Sequence, residues 1–226
     1  MKLPPIVLVT GTDTGVGKTV TTAALASALQ AEGRSVAVYK PCQSGAAVGD
    51  SDCTEIARLA GPLTAEAGVV LQEPLAPVHA AALDRVALPP LAAHAMRVRE
   101  LASTHDHVLV EGSGGLLVEL DHDGGTLADL GRHLGPDAGF VVVARPALGT
   151  LNHTALTLEA LERRDLAVQG VVLGSWPDDS GVPEHGNRAT LGASRPLLGV
   201  IPERAADLPP VTFREASGHW LSGAWS

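Results

Sequence analysis

Ten consecutive residues, Thr10-Gly11-Thr12-Asp13-Thr14-Gly15-Val16-Gly17-Lys18-Thr19, carry the groups needed to hold a polyphosphate. Gly15 and Gly17 let successive backbone N–H groups turn toward one anion, and a helix starting behind them adds its positive end. Gly15, Val16, Gly17 and Val20 would surround the phosphates, Lys18 would neutralise the β- and γ-oxygens, and the Thr19 hydroxyl would ligate Mg²⁺. The spacing is not literal. A glycine is expected six positions before the lysine, where Thr12 stands, and Gly11 falls one residue early. A glycine-rich turn that binds nothing would have no need of Lys-Thr at the helix start, so phosphate plus metal is the better reading.

A second stretch with chemistry is Val108-Leu109-Val110-Glu111-Gly112-Ser113-Gly114-Gly115. An apolar run ending in an acid suits a carboxylate that supports Mg²⁺, and the glycines after it let a ligand come close to backbone. A nucleophile elbow at Ser113 fails, because Glu111 occupies the place of its first glycine. The chain has three lysines, Lys2, Lys18 and Lys40, against thirteen arginines. A lysine kept in such a chain marks a place where a compact point charge is wanted. Lys40 ends the run Val36-Ala37-Val38-Tyr39 and is followed by Pro41-Cys42-Gln43-Ser44-Gly45, beyond a strand's carboxyl end, where ligands bind in open α/β sheets. Ser44 is either a binding residue or an ordinary loop serine. In the polar loop Gly49-Asp50-Ser51-Asp52, Ser51 or Asp52 is either a helix N-cap or a carboxylate near the metal, and spacing leaves both open. Gly149-Thr150-Leu151-Asn152-His153 opens a helix whose free N–H groups suit a carboxylate, or Thr150 or Asn152 simply caps it.

The elements that must position these residues follow from apolar runs and punctuation. Ile6–Val9 reads as a buried strand and Val20–Leu29 as a helix closed by Gly33. Further strands are expected at 36–39, 108–111, 140–144, 169–173 and 196–202. Helices are expected at 53–59, 91–103, from Thr126, from Gly149 to Leu161, weakly from Asn187, and at 211–220. Residues 68–90, rich in proline, read as an irregular segment followed by a short helix, and 177–187 as a polar mobile loop. His105-Asp106-His107 reads as a turn into a strand rather than a metal site. Strands and helices alternate with no linker or repeat, which implies one doubly wound α/β domain over 1–226, a mostly parallel sheet flanked by helices.

Composition narrows the function. A formal charge of −9 lacks the basic footprint of a nucleic-acid binder. No apolar run reaches the length of a membrane span. Met1 to Pro5 leads into the first strand without a signal peptide, and Cys42 and Cys53 make neither a disulfide framework nor a zinc site, so a reduced, cytoplasmic protein is expected.

Taken in order, Gly11 to Thr19, Tyr39-Lys40-Pro41 with Ser44-Gly45, Ser51-Asp52, Val110 to Gly115, and Gly149 to His153 resemble the dethiobiotin synthetases, over Ile6 to about Pro202. Ser113 departs where alanine is common in that family, and 177–187 and the C-terminal tail match no motif. The resemblance implies a homodimeric enzyme of biotin synthesis that joins 7,8-diaminononanoate and CO₂ at the expense of ATP with Mg²⁺. It implies a carbamate, then a carbamic–phosphoric anhydride, then ring closure. By the same resemblance Thr19, Asp52 and Glu111 surround Mg²⁺, and Lys18 and Lys40 flank the carbamate and γ-phosphate. Gly112, Ser113 and Gly114 adjoin the nucleotide, and Thr14 and Ser44 hold the diamine or carbamate. Gly174, Ser175, Pro202, Glu203 and Arg204 line the base pocket. Thr150, Leu151 and Asn152 receive the substrate carboxylate from the neighbouring subunit. Two other readings are a related P-loop amidoligase and a partitioning-type regulatory ATPase. The latter carries a second lysine five residues before the P-loop lysine, where this chain has Asp13.

Overall fold

The computed structural model describes residues 3–49 and 51–224. Lys2 and Asp50 lie outside the described residues. The apolar runs form seven parallel strands in one sheet: β1 (Ile6–Gly11), β2 (Val36–Gln43), β3 (Thr64–Val70), β4 (His107–Gly115), β5 (Ala138–Ala144), β6 (Val168–Trp176) and β7 (Leu197–Pro202). Their order is β3-β2-β4-β1-β5-β6-β7. β1 is flanked on both sides, so every residue of Ile6–Gly11 is buried, which is why the run is continuously apolar rather than alternating.

Alternate side chains of β1 feed two cores. Val7 and Val9 pack toward α1 (Lys18–Ala31), α2 (Asp52–Ala60) and α8 (Pro210–Trp220). Ile6 and Leu8 pack toward α3 (Pro77–Asp84), α4 (Leu91–Ala102), α5 (Leu127–Leu134), α6 (Thr150–Glu162) and α7 (Val182–Ser194). The chain moves outward from β1 to β2 and β3, returns at β4 beside β1, and resumes at β5 on the other side. The crevice beyond the carboxyl ends at this reversal is where such sheets bind ligands. The P-loop, Lys40 and Glu111 all lie at those ends.

Two expectations need correction. Residues 64–70 form an edge strand, and only residues beyond it are irregular before α3. β3 is half exposed, with Thr64-Ala65-Glu66-Ala67-Gly68 giving weak strand propensity, and it is recruited by pairing with β2 (Ala37↔Thr64 through Gln43↔Val70). Gly68 is needed there, because an added Cβ would lie 2.7 Å from the Pro41 carbonyl oxygen. The segment 177–187 is not all loop: α7 begins at Val182, five residues before the expected start. Pro183 favours the first turn, and the Glu184 carboxylate accepts the Gly181 N–H at 2.9 Å. Among the described residues no helix is long and apolar enough to cross a membrane.

Candidate active site

The P-loop is shaped by close approach. Gly17 caps α1 at φ 95°, a conformation that glycine adopts without strain. Gly11, the misplaced glycine of the motif, has its own reason. A Cβ there would fall 2.7 Å from the Asp13 carbonyl and 3.1 Å from Lys18 Nζ. Lys18 Nζ donates to that carbonyl at 3.1 Å, while the Asp13 carboxylate accepts the Thr14 N–H at 2.7 Å and Arg145 at 2.6 Å. The end of β6 packs on the loop from the other side: a Cβ on Gly17 would touch Gly174 Cα at 3.4 Å and Ser175 Oγ at 3.5 Å.

Above the loop four side chains from four elements converge. Lys40 Nζ lies 2.6 Å from Asp52 Oδ2, 2.8 Å from Glu111 Oε1 and 3.1 Å from the Gly112 carbonyl. Thr19 Oγ1 lies 2.9 Å from Asp52 Oδ1 and 3.0 Å from Glu111 Oε1. Glu111 is fully buried and Lys40 is 4% exposed. Ser51 is the helix N-cap, its Oγ accepting the Thr54 N–H, which leaves Asp52 free for the cluster. The N-cap reading left open for this pair of residues thus falls to Ser51, and the Asp52 carboxylate joins Thr19 and Lys40.

Burial works against a charge on Lys40, but Glu111 and Asp52 outweigh it and raise its pKa above the ordinary lysine value. Burial would raise the Asp52 carboxyl, yet Lys40 prevails and holds it below the usual range. Burial and then the charge of Lys40 push Lys18 down, so an anion at the P-loop would relieve it.

The donor set fits Mg²⁺. One hydroxyl proton cannot serve two carboxylates at once, and Glu111 Oε2 is buried with no partner among the described residues. The available donors are all oxygen, as a hard cation prefers. Among the described residues no three His, Cys, Asp or Glu side chains group around a metal position, so an ion here would take two carboxylates and a hydroxyl. Mg²⁺ completes such a set with water and phosphate oxygens.

These groups face a cleft of about 920 Å³. Thr14, Gly15, Gly17, Lys18, Thr19, Val20, Lys40, Ser44, Asp52, Glu111, Ser113, Gly114 and Ser175 line it. Val16 is buried beneath the loop, Gly112 supplies the carbonyl that Lys40 meets, and Gly174 backs the P-loop. Pro202, Glu203 and Arg204 do not line the cleft. They adjoin its edge, with Pro202 paired to Trp176, the Glu203 N–H donating to the Trp176 carbonyl at 2.7 Å, and Arg204 bound to Asp178 at 2.8 Å. Thr150, Leu151 and Asn152 form the first turn of α6, outside the cleft of their own chain. The N-cap is Gly149 with no side-chain cap, so Thr150 and Asn152 do not cap the helix.

Sequence reasoning passed over Gln43, Val118 and the wall made by Pro74, Leu75, Ala76 and Pro77. The proline density of that wall was visible but pointed only to irregular backbone. Gln43 gave a positional signal alone, three residues beyond Lys40.

Comparison with known proteins bears on the family and the fold. The family model described as an AAA domain matches residues 6–209. The ATP-dependent dethiobiotin synthetase BioD of Mycobacterium avium (strain 104) is 48% identical over 221 residues, covering 97% of this chain and 96% of that protein. The protein of that name from Streptomyces avermitilis is also 48% identical, covering 97% and 94%. In fold, the chain is similar to the cell division ATPase MinD of Pyrococcus furiosus, with a TM-score of 0.62 at 19% identity, covering 99% of this chain and 98% of that one. Relatives matched at such identity over nearly their full length, on a sheet whose carboxyl end carries a phosphate-binding loop, establish that the chain belongs to the ATP-dependent dethiobiotin synthetases, a family of ligases.

Proposed function

We propose that the chain closes the ureido ring of dethiobiotin from 7,8-diaminononanoate, CO₂ and ATP, releasing ADP and phosphate. The observation that carries this reading is the convergence of Lys18, Thr19, Lys40, Asp52 and Glu111 on one cleft beside the P-loop.

One amine of the substrate attacks CO₂ and loses a proton, giving a carbamate. A carbamate oxygen then attacks the γ-phosphorus and ADP leaves, giving a carbamic–phosphoric anhydride. The second amine attacks the carbonyl carbon, loses its proton, and expels phosphate together with the oxygen that had bridged carbon and phosphorus. The P-loop N–H groups and Lys18 hold the β- and γ-phosphates. Lys40 reaches the carbamate oxygen and γ-phosphate as they approach, where negative charge concentrates. Mg²⁺ held by Thr19, Asp52 and Glu111 would neutralise phosphate oxygens. Thr14 and Ser44 hold the diamine or carbamate, and Gly112, Ser113 and Gly114 bring backbone close to the nucleotide. Gly174, Ser175, Pro202, Glu203 and Arg204 form the side on which the base rests.

In this reading 1–226 is one domain and the enzyme is a cytoplasmic homodimer. The first turn of α6, with Thr150, Leu151 and Asn152, receives the substrate carboxylate in a neighbouring copy. No side chain caps that turn, although the Thr150 N–H donates to the Ala147 carbonyl at 3.3 Å, and the exposure of Leu148 (79%) and Leu151 (38%) beside it supports that arrangement. The test is to follow ADP release and dethiobiotin mass with each substrate omitted in turn. Product formation that requires the diamine, bicarbonate, ATP and Mg²⁺ together supports the reading. ATP hydrolysis at an equal rate without diamine, and no dethiobiotin, would overturn it in favour of a nucleotide-switch ATPase.

A further inference from the structure

We infer that Gln43 is a positioning residue that sets the Asp52 carboxylate for the metal, an inference that rests on the reading of Asp52 as a metal ligand. α2 begins at Asp52, and the N–H groups of its first turn have no partners within the helix. Ser51 takes the Thr54 N–H at 3.3 Å. The N–H of Asp52 itself is taken from outside the helix: Gln43 Oε1 accepts it at 2.9 Å. The other end of the Gln43 amide is also fixed, with Nε2 donating to the Ser44 carbonyl at 2.8 Å. An N–H on one side and a C=O on the other allow a single orientation of the amide. The backbone is held as well, the Gln43 carbonyl accepting the Leu71 N–H at 2.7 Å, and the residue is 5% exposed.

β2 therefore grips Asp52 twice. Lys40 holds the carboxylate at 2.6 Å, and Gln43 holds the main chain from which that carboxylate hangs. The Lys40 contact must loosen if Lys40 turns to the carbamate and phosphate, whereas the Gln43 contact does not involve the carboxylate and can persist. Gln43 thus keeps Asp52 Oδ1 beside Thr19 Oγ1 and Glu111 while the charges rearrange. Groups that orient a metal ligand without touching the metal typically govern metal affinity by about 10–100-fold.

The experiment measures ADP affinity by calorimetry in excess Mg²⁺ and in EDTA, for the full chain and for Gln43→Met, Gln43→Glu and Asp52→Asn, with thermal melts of each. Gln43→Met keeps the side-chain length but removes the acceptor. It should lose about tenfold of the Mg²⁺-dependent gain in ADP affinity while binding in EDTA is unchanged. Gln43→Glu keeps the acceptor and should retain the gain within about threefold, which also covers the case in which Gln43→Met fails to fold. Gln43→Met with the wild-type gain, or with equal losses in Mg²⁺ and EDTA, overturns the inference about Gln43 while Asp52→Asn still abolishes the gain. If Asp52→Asn itself keeps the gain, the metal-ligand reading fails and the inference falls with it.

Discussion

Replacing Lys40 by methionine removes a charge from the middle of the cluster while keeping the length of the side chain. In the folded protein Glu111 is 0% exposed, one of its oxygens meets Lys40 at 2.8 Å, and the other has no partner among the described residues. Deleting one member of such a buried pair leaves an uncompensated carboxylate, at a cost of about 3–5 kcal/mol. Asp52 loses its partner too, but its side chain is 28% exposed and water recovers most of that. For a chain of this size each kcal/mol moves the Tm by about 2–4 °C, so Lys40→Met should melt about 10 °C lower in differential scanning calorimetry. Adding Glu111→Gln should restore much of the loss, with a coupling of at least about 2 kcal/mol in the double-mutant cycle. The sign of the pH dependence follows from the shifts. The raised pKa of Lys40 gives a contribution that is complete below 10.5 and is lost as pH rises through the higher folded value. The lowered pKa of Asp52 gives one that is complete above 3.8 and is lost as pH falls through the lower folded value. The gap between wild type and variant should thus stay flat across neutral pH and narrow at both extremes. In turnover, Lys40→Met should lower kcat about a hundredfold with ATP binding retained. Equal Tm values for wild type and variant would refute the buried ion pair. A variant that raises only the KM for the diamine would make Lys40 a substrate-binding residue and end its catalytic role.

Thr19→Val should cost about a hundredfold in kcat, on the order of 3 kcal/mol, with the fold intact by circular dichroism; near-normal turnover at saturating Mg²⁺ would remove Thr19 from the metal site. Gly11→Ala places a Cβ 2.7 Å from a backbone carbonyl that cannot yield freely, and should weaken ATP binding at least about tenfold in calorimetric titration. Asn152→Ala should weaken the diamine and spare ATP, measured by separate titrations alongside sedimentation; a monomer working at full rate would refute the shared site. His94 is buried, its Nδ1 2.7 Å from the Tyr39 hydroxyl, and burial lowers its pKa below 6.5. The unfolded chain therefore takes up a proton first, and stability should fall as pH drops below 6.5, less so in His94→Gln, by denaturant titration at several pH values.

Much of the site could be read from the chain because its members sit where motifs end elements. Lys18 and Thr19 open a helix behind glycines, Glu111 closes an apolar run, and Lys40 closes another. Spacing leaves Asp52 open because it cannot say where α2 docks; contacts with the Gln43 amide and Lys40, both on β2, bring its carboxylate into the cluster. β3 was missed because its side chains are half exposed and its composition is poor for a strand, so only its pairing with β2 reveals it. The start of α7 was missed because proline and glycine read as loop, although Pro183 and Glu184 together begin a helix. The Pro74 to Pro77 wall faces the cleft only because the folded chain returns there, a relation that no local pattern encodes.

In the proposed reaction this cleft drives ring closure by passing a phosphoryl group to a carbamate oxygen. The direct measurement is mass spectrometry of both products after rapid reaction with CO₂ labelled by ¹⁸O at both oxygens. If the carbamate attacks the γ-phosphorus and phosphate is later expelled from carbon, one label appears in the phosphate and one in the ureido oxygen of dethiobiotin. Unlabelled phosphate, its fourth oxygen drawn from water, with ATP consumed and no labelled dethiobiotin formed, would contradict it.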